Sequence, residues 1–370
     1  MAEPAGDGGG GGGRRDPGCR RLRAGRRGRA GGPRPGTGDP RHPVEPRSPV
    51  RTAAGAAGVT AGVAFGAGGR VVVKPPAFEY VAAAGLDEAL EALADTSVET
   101  RPLAGGQSLV PMLNFRLAAP ERLVDLNGIE ALAGVEETES GGLRLGAMVR
   151  VRQLERDPLI ARRAPLLAEA APFIAHPQIR SRGTVGGSVA HADPAAELPA
   201  VLLTLGARVR IARRSRGGEP GSRVERTLDL DDFFLGPFFS ALEPDELLTA
   251  IEVPPSAPAE GTAFDEVARR RGDYALAGVA ARVRLDSGGV CGEAAISLVN
   301  GGSTPCLMSE AARTLVGSEP TPEAIEAAAA ACAATCDPAA DMHASEAYRR
   351  HLVRTLTARV VSRAADRART

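Results

Sequence analysis

Two glycine-containing loops carry residue types that suit a diphosphate: AGGQSLVPMLNFR at Ala104–Arg116 and GTVGGSVAHADPAAELPA at Gly183–Ala200. In each loop two glycines follow a predicted strand, with a serine at or beside the next position. Glycine lets backbone N–H groups approach an anion without a Cβ in the way, and consecutive amides form an anion-binding concavity. Either loop alone is weak evidence, because tight turns also use glycine for steric reasons. Their recurrence about 80 residues apart favours two loops that hold one pyrophosphate from both sides.

Other common signatures are missing from the sequence. Neither loop is a Walker A loop, since no Gly-Lys-Ser/Thr occurs, and neither is the GxGxxG of a Rossmann dinucleotide site, so kinase and simple NAD-dehydrogenase functions lose support. His176 and His191 have no second His or Cys at ligand spacing nearby, which favours loop or core histidines over metal ligands. The five cysteines form no CxxC pair and indicate neither a disulfide framework nor an iron–sulfur or zinc site.

The elements that must position the loops alternate between strands and helices in the first half of the chain. There the pattern predicts strands and helices at Val71–Val73, Leu86–Ala94, Thr100–Leu103, Ser108–Arg116, Arg122–Leu126, Ala133–Glu137, Leu143–Met148, Glu197–Leu205 and Ala207–Ala212. Asp157-Pro158 and Asp193-Pro194 both predict helix starts, with Asp as the cap.

The organisation changes beyond Pro254-Pro255, and we place a domain boundary near residues 245–258. Strands at Val279–Leu285 and Val290–Val299 flank Asp286-Ser287-Gly288-Gly289, a hairpin signal, and three helical stretches follow.

Residues 1–70 differ in composition from the rest. They carry 13 Arg against five acidic residues, a charge of +8 that the remaining residues balance with −8. Their Gly, Pro and Arg content predicts a disordered tail, or an upstream start that adds dispensable sequence. No stretch of the chain is apolar enough for a membrane span.

Three motifs, in this order, resemble the signature regions of molybdenum hydroxylase flavoprotein subunits, such as those of aerobic carbon monoxide dehydrogenase and xanthine dehydrogenase. They are AGGQSL, then IR-x-RGTVGGS-x-AHADPAAELPA, then GDYALAGVA at Gly272–Ala280, and the resemblance spans about Lys74–Ala365. It implies an α+β fold. A PCMH-type FAD-binding domain of two α/β subdomains would occupy residues 71–250. A smaller C-terminal domain with an antiparallel sheet and a helical bundle would occupy residues 258–366.

The resemblance also implies non-covalent FAD and a set of binding residues. Asp193 and Glu197 match positions near the ribityl and ribose hydroxyls, and Tyr274 matches a tyrosine beside the isoalloxazine ring. The positions that match the two pyrophosphate loops are Ala104, Gly105, Gly106, Gln107, Ser108, Thr184, Val185, Gly186, Gly187 and Ser188. No catalytic acid, base or metal ligand is expected in this chain.

The implied function is electron transfer within a complex. A large partner subunit would oxidise the substrate at a molybdenum–pterin centre, and a small partner would carry two 2Fe-2S clusters. This chain would pass the electrons to a quinone or NAD, in a dimer of heterotrimers located in the cytoplasm or associated with the membrane through the complex. Two alternatives stay open. One is a stand-alone PCMH-type flavoprotein oxidoreductase, and the other is a non-redox nucleic-acid-binding protein that uses its Arg-rich tail.

Overall fold

Three β-sheets and the helices that connect them dominate the computed structural model, which describes residues 74–217 and 221–370. The predictions for the tail at residues 1–70 and for a strand at Val71–Val73 lie outside the described residues.

The first sheet is parallel and has the strand order β1-β3-β2. Its elements in chain order are β1 (Glu79–Ala82), α1 (Leu86–Ala94), β2 (Thr100–Leu103), α2 (Leu109–Asn114) and β3 (Arg122–Asp125). Helix α1 and strand β2 were predicted with these bounds. The helix buries Ala89, Leu90 and Leu93 at three- and four-residue spacing, which is the apolar stripe of an amphipathic helix. Parallel pairing places the loops that follow β2 and β3 at the same edge of the sheet.

The second sheet is antiparallel and has the order β4-β5-β10-β6-β7. Its strands are β4 (Val135–Glu137), β5 (Leu143–Gly146), β6 (Arg208–Arg214), β7 (Arg223–Asp229) and β10 (Glu246–Val253). Between β7 and β10 lie α9 (Leu230–Phe233), β8 (Phe234–Gly236) and β9 (Phe239–Ser240). Strand β10 sits in the centre of the sheet, although it is the last of the five along the chain.

Six short helices fill the connection between β5 and β6; the fifth of them packs on β5 and β10 of the second sheet, and the third and sixth pack on the C-terminal sheet. They are α3 (Val151–Leu154), α4 (Pro158–Arg163), α5 (Pro165–Ala170), α6 (Pro177–Arg180), α7 (Val185–His191) and α8 (Glu197–Thr204). Asp157 caps α4 as predicted, since its carboxylate accepts a hydrogen bond from the amide of Leu159 at 2.8 Å. The same prediction for Asp193 is wrong: α8 begins after Ala196, and Asp193 instead accepts from the Ala195 amide in a tight turn, at 2.9 Å.

The third sheet is antiparallel, with the order β11-β12-β13-β14, and three helices follow its strands. Its elements are β11 (Glu260–Ala268), β12 (Ala275–Leu285), β13 (Cys291–Val299), β14 (Cys306–Leu307), α10 (Ser309–Arg313), α11 (Pro322–Thr335) and α12 (Glu346–Ala368). The predicted hairpin joins β12 to β13, closed by the hydrogen bond from the Asp286 amide to the Val290 carbonyl at 2.8 Å. The α+β architecture with an antiparallel C-terminal sheet and helices is confirmed.

No helix within the described ranges is both long and apolar enough to cross a lipid bilayer.

Helix α12 packs directly on β11 at Gly261. A Cβ at this position would lie 2.0 Å from the Ala364 carbonyl oxygen and 2.5 Å from the Ala368 nitrogen. Gly261→Ala therefore forces the helix off the sheet, and we expect it to lower the free energy of unfolding by about 1–3 kcal/mol. Gly292→Ala on β13 is the matched control, since its nearest neighbour would be 3.9 Å away. Denaturant unfolding of both variants tests this, and equal stability of the two would contradict the packing described.

Candidate functional site

The loop after β2 presents a run of unpaired backbone amides. Among residues 74–217 and 221–370, nothing accepts a hydrogen bond from the amides of residues 105–109. Gly106 has a φ of 71°, a left-handed conformation that glycine adopts without strain. The Gln107 amide group donates to the Gly105 carbonyl at 2.9 Å and holds the loop closed. Consecutive free amides of this kind suit an anion such as a diphosphate.

The second loop uses its amides within the protein. The Val185 amide donates to the Val149 carbonyl and the Gly186 amide to the Ala147 carbonyl, both at 2.9 Å. The Gly187 amide donates to Thr184 Oγ1 at 3.1 Å, which caps α7. A Cβ at Gly186 would lie 2.5 Å from the Ala147 Cβ, so this glycine serves close packing. The second loop therefore has no run of free amides. It can offer a ligand hydroxyl groups and a complementary surface.

The two loops touch through their backbones. A Cβ on Gly105 would lie 2.4 Å from the Arg182 carbonyl oxygen and 2.8 Å from the Gly183 Cα, so no other residue type fits there without a shift. A Cβ on Gly187 would stand 3.6 Å from the Ala104 Cβ. The structure thus brings the predicted loop residues Ala104–Ser108 and Thr184–Ser188 together.

Arg150, which the sequence did not single out, holds the two loops. Its guanidinium donates to the Arg182 carbonyl at 2.5 Å and to Asn127 Oδ1 at 2.6 Å. Asn127 in turn donates to the Ala104 carbonyl at 3.0 Å. Desolvation and the neighbouring Arg182 lower the pKa of Arg150, while Asp125 raises it. Arg150 and Arg182 together place two positive charges here against the single negative charge of Asp125.

Helix α7 leads from the loops to two buried carboxylates. It ends at Ala192, whose φ is 52°, and Asp193 and Glu197 follow with 7% and 6% exposure. Desolvation, together with the charge of Asp193, raises the pKa of Glu197 to about 7. Both predicted acidic residues therefore lie at one end of α7, with the glycine loops at the other.

The third motif reaches the same place from the C-terminal sheet. Gly272, with a φ of 88°, packs so closely on His176 that a Cβ would lie 2.4 Å from its Nδ1 atom. The Tyr274 residue is 66% exposed overall, but its hydroxyl is near Asp193. Desolvation and the charge of Asp193 raise the pKa of Tyr274 to about 12, so the phenol stays protonated at neutral pH.

The remaining polar residues of the motif region have structural contacts. Arg180, 8% exposed, pairs with Glu155 at 2.5 Å and donates to the carbonyls of Ile174 and Ala175. The His191 ring packs against Phe238 at a tilt of 51°, with ring centroids 5.1 Å apart, and desolvation lowers the pKa of His191. No group of three His, Cys, Asp or Glu side chains in the described ranges could hold a metal ion.

Comparison with known families places this fold and site in a defined class. Residues 76–256 match the FAD binding domain in molybdopterin dehydrogenase, and residues 262–364 match the CO dehydrogenase flavoprotein C-terminal domain. The architecture is therefore that of a flavoprotein of the molybdopterin dehydrogenases.

Individual relatives agree with this class over nearly their whole lengths. The 6-hydroxypseudooxynicotine dehydrogenase complex subunit alpha of Paenarthrobacter nicotinovorans is 43% identical over 297 residues, 80% of this chain and 97% of that protein. The carbon monoxide dehydrogenase medium chain of Afipia carboxidovorans is 37% identical over 295 residues, 80% and 99% of the two chains. Among solved structures, carbon monoxide dehydrogenase from Hydrogenophaga pseudoflava has a TM-score of 0.74 at 38% identity, covering 79% of this chain and 99% of that one. Quinoline 2-oxidoreductase from Pseudomonas putida has a TM-score of 0.73 at 38% identity, covering 80% and 100%.

The chain belongs to the molybdopterin dehydrogenase flavoprotein family. It is an oxidoreductase flavoprotein with an FAD-binding domain, which confirms the predicted family and cofactor.

The clamp formed by Arg150 can be tested by its removal. Arg150→Met keeps the length of the side chain but loses both hydrogen bonds that join the loops, so we expect the Kd for FAD to rise about tenfold, equivalent to about 1.4 kcal/mol. Fluorescence titration of the apoprotein with FAD measures this. Arg152→Met is the matched control, because Arg152 donates to the Ser181 hydroxyl at 3.1 Å and not to the Arg182 carbonyl or Asn127. An unchanged Kd in the Arg150 variant would contradict the assignment.

Proposed function

We propose that this chain is the FAD-binding electron-transfer subunit of a heterotrimeric molybdenum hydroxylase. It takes electrons from the 2Fe-2S clusters of a small partner subunit and passes them to a quinone or NAD. A large molybdopterin subunit oxidises the substrate, and two heterotrimers form the complete complex. The observation that carries this proposal is the run of free amides at residues 105–109, held against a second loop inside a domain of the FAD-binding family.

The proposed site residues contact three parts of FAD: the diphosphate, the ribityl and ribose hydroxyls, and the ring system. The amides of the first loop bind the diphosphate, and Arg150 and Arg182 add positive charge beside it. Asp193 and Glu197 accept hydrogen bonds from ribityl and ribose hydroxyls, and Tyr274 covers one side of the ring system. Bound FAD supplies the redox chemistry, which includes accepting electrons singly. The chain itself supplies position and electrostatics, and none of its side chains acts as an acid, base or nucleophile on the substrate.

The partner subunits are proposed from the names of the relatives. These include a "medium chain" and "subunit alpha", terms that describe parts of larger assemblies. No cluster of metal ligands lies among the described residues, and we assign the iron–sulfur and molybdenum centres to the partners. We place this chain in the cytoplasm or, through the complex, at the membrane.

We infer that the large subunit determines which substrate the complex oxidises. The relatives are named for carbon monoxide, nicotine and caffeine, although their flavoprotein chains are equally similar to this one at 37% identity. This degree of similarity across different substrates supports a shared electron-transfer role.

Removal of FAD from the assembled complex tests the function. Gly105→Ala places a Cβ 2.4 Å from the Arg182 carbonyl, and we expect it to abolish FAD retention. The complex, purified through a tag on this chain, should still contain iron and molybdenum. On addition of substrate its iron–sulfur absorption should still bleach, while transfer to quinone or NAD is lost. Gly134→Ala is the control, because its nearest contact would be 3.6 Å away.

Two outcomes of this experiment would contradict the proposal. One is full acceptor activity in a complex without FAD, since electrons would then leave by another route. The other is a tagged chain that purifies without metal-containing partners and oxidises a substrate by itself, which would favour the stand-alone flavoprotein.

A further inference from the structure

One asparagine of the C-terminal domain binds two of the motif segments at once. Asn300 follows strand β13, and its backbone amide donates to the Pro194 carbonyl at 2.8 Å. Its side-chain Nδ2 donates to the Ala275 carbonyl at 2.9 Å. Pro194 comes directly after Asp193, and Ala275 comes directly after Tyr274. Asn300 therefore joins the backbone that carries Asp193 to the backbone that carries Tyr274.

The backbone of Asn300 leaves the sheet in order to make these bonds. Val299 pairs with Gly278 on β12, and continued pairing would place Asn300 opposite Ala277. Instead Asn300 has a φ of 57°, a left-handed conformation that asparagine tolerates better than most residues with a side chain. Its amide therefore bonds to Pro194 in the FAD-binding domain and not to the neighbouring strand.

The residues around Asn300 hold it in place. Gly301 is buried, and a Cβ there would lie 2.5 Å from the Leu298 Cβ, so the loop packs directly on the end of β13. The Gly301 carbonyl accepts a hydrogen bond from the Asp337 amide at 2.8 Å. A residue held in this way can set the spacing of the two segments that it binds.

The two joined segments differ in what they present. Asp193 is buried in a tight turn, where its carboxylate accepts from the Ala195 amide at 2.9 Å and its carbonyl from the Ala196 amide at 3.1 Å. Tyr274, in contrast, is 66% exposed. An exposed aromatic side chain whose backbone is tied to a rigid turn suits contact with a flat ring of a ligand.

We propose that Asn300 is a positioning residue for the flavin. Its two hydrogen bonds hold Tyr274 at a fixed distance from Asp193, so that the phenol covers the isoalloxazine ring while Asp193 binds the ribityl chain of the same FAD. Asn300 acts through these two residues. Its side chain restrains Tyr274, because Nδ2 makes the bond to Ala275. The inference rests on the proposed location of FAD beside Asp193 and Tyr274.

Replacement by glycine separates this role from the fold. Asn300→Gly can keep the positive φ and the amide bond to Pro194, but it lacks the donor to Ala275. In the full-length chain we expect the Kd for FAD to rise about three- to tenfold, as for the loss of one hydrogen bond. The bound flavin should also become more fluorescent, because a tyrosine that no longer lies against it quenches less. Ala259→Gly is the matched control, since Ala259 has a φ of 53° and lies at the opposite end of the same sheet; it should change neither value.

A double-mutant cycle shows whether Asn300 acts through Tyr274. Tyr274→Leu alone should raise the Kd for FAD and the flavin fluorescence. Asn300→Gly should then add nothing in the Tyr274→Leu background, because the ring that it positions is gone. A purely structural role would give the same effect of Asn300→Gly in both backgrounds. That result, or wild-type values in the single Asn300→Gly variant, would overturn the proposal.

Nuclear magnetic resonance of the unsubstituted chain gives a test that needs no variant to fold. Asn300 is the only asparagine that follows a valine, so labelling valine at the carbonyl carbon and asparagine at nitrogen isolates its backbone amide. This amide should exchange slowly in the apoprotein and shift when FAD binds. FAD binding without a shift would contradict the positioning role alone. A wild type that binds no FAD would overturn both the proposed function and this inference.

Discussion

Two backbone segments, one at Gly105 and one at Arg182–Gly183, lie so close together that no side chain fits between them. The ideal Cβ of Gly105 would be 2.4 Å from the Arg182 carbonyl oxygen. Because backbone atoms cannot rotate away as side chains can, this contact determines how the first sheet and the helices of the second subdomain meet. Arg150 strengthens it with a hydrogen bond to the Arg182 carbonyl and another to Asn127, which holds the Ala104 carbonyl. The Arg182 carbonyl is thus occupied by Arg150, and the amides of residues 105–109 have no acceptor among the described residues.

The rest of the site is built outward from this contact. Helix α7 starts at the second loop and ends at Ala192, so its length sets the separation between the glycine loops and the carboxylate of Asp193. Two of the contacts that join the C-terminal domain to this region lie near Tyr274: Gly272 packs on His176, and the Asn300 backbone amide donates to the Pro194 carbonyl at 2.8 Å. These contacts bring Tyr274 to the end of α7 where Asp193 lies. A cofactor with a charged middle and an extended polar chain matches this arrangement of positive loops at one end and carboxylates at the other.

Sequence patterns within a few residues predicted much of this structure, but contacts between residues far apart in sequence were not predicted. The amphipathic stripe of α1, the Asp157 cap and the hairpin at Asp286 all depend on residues within a few positions of each other, and all three were predicted correctly. The sequence analysis did not predict strand β10. Its partners β5 and β6 lie far from it in sequence, and hydrophobic periodicity does not indicate which strands pair. The glycine loops were found by motif, but their different use of amides depends on Ala147 and Val149, which the motif does not contain. Arg150 acts through tertiary contacts with Arg182 and Asn127 and belongs to no local pattern.

Amide hydrogen exchange on the full chain, with and without FAD, tests the central claim most directly. The amides of residues 105–109 have no acceptor in the described structure, so they should exchange fast in the apoprotein and slow markedly when FAD binds. The amides of residues 185–188 already have acceptors and should be protected in both states. Protection by FAD at residues 105–109 is the predicted result. FAD binding that leaves these amides unchanged would contradict the account, because the diphosphate would then be held elsewhere.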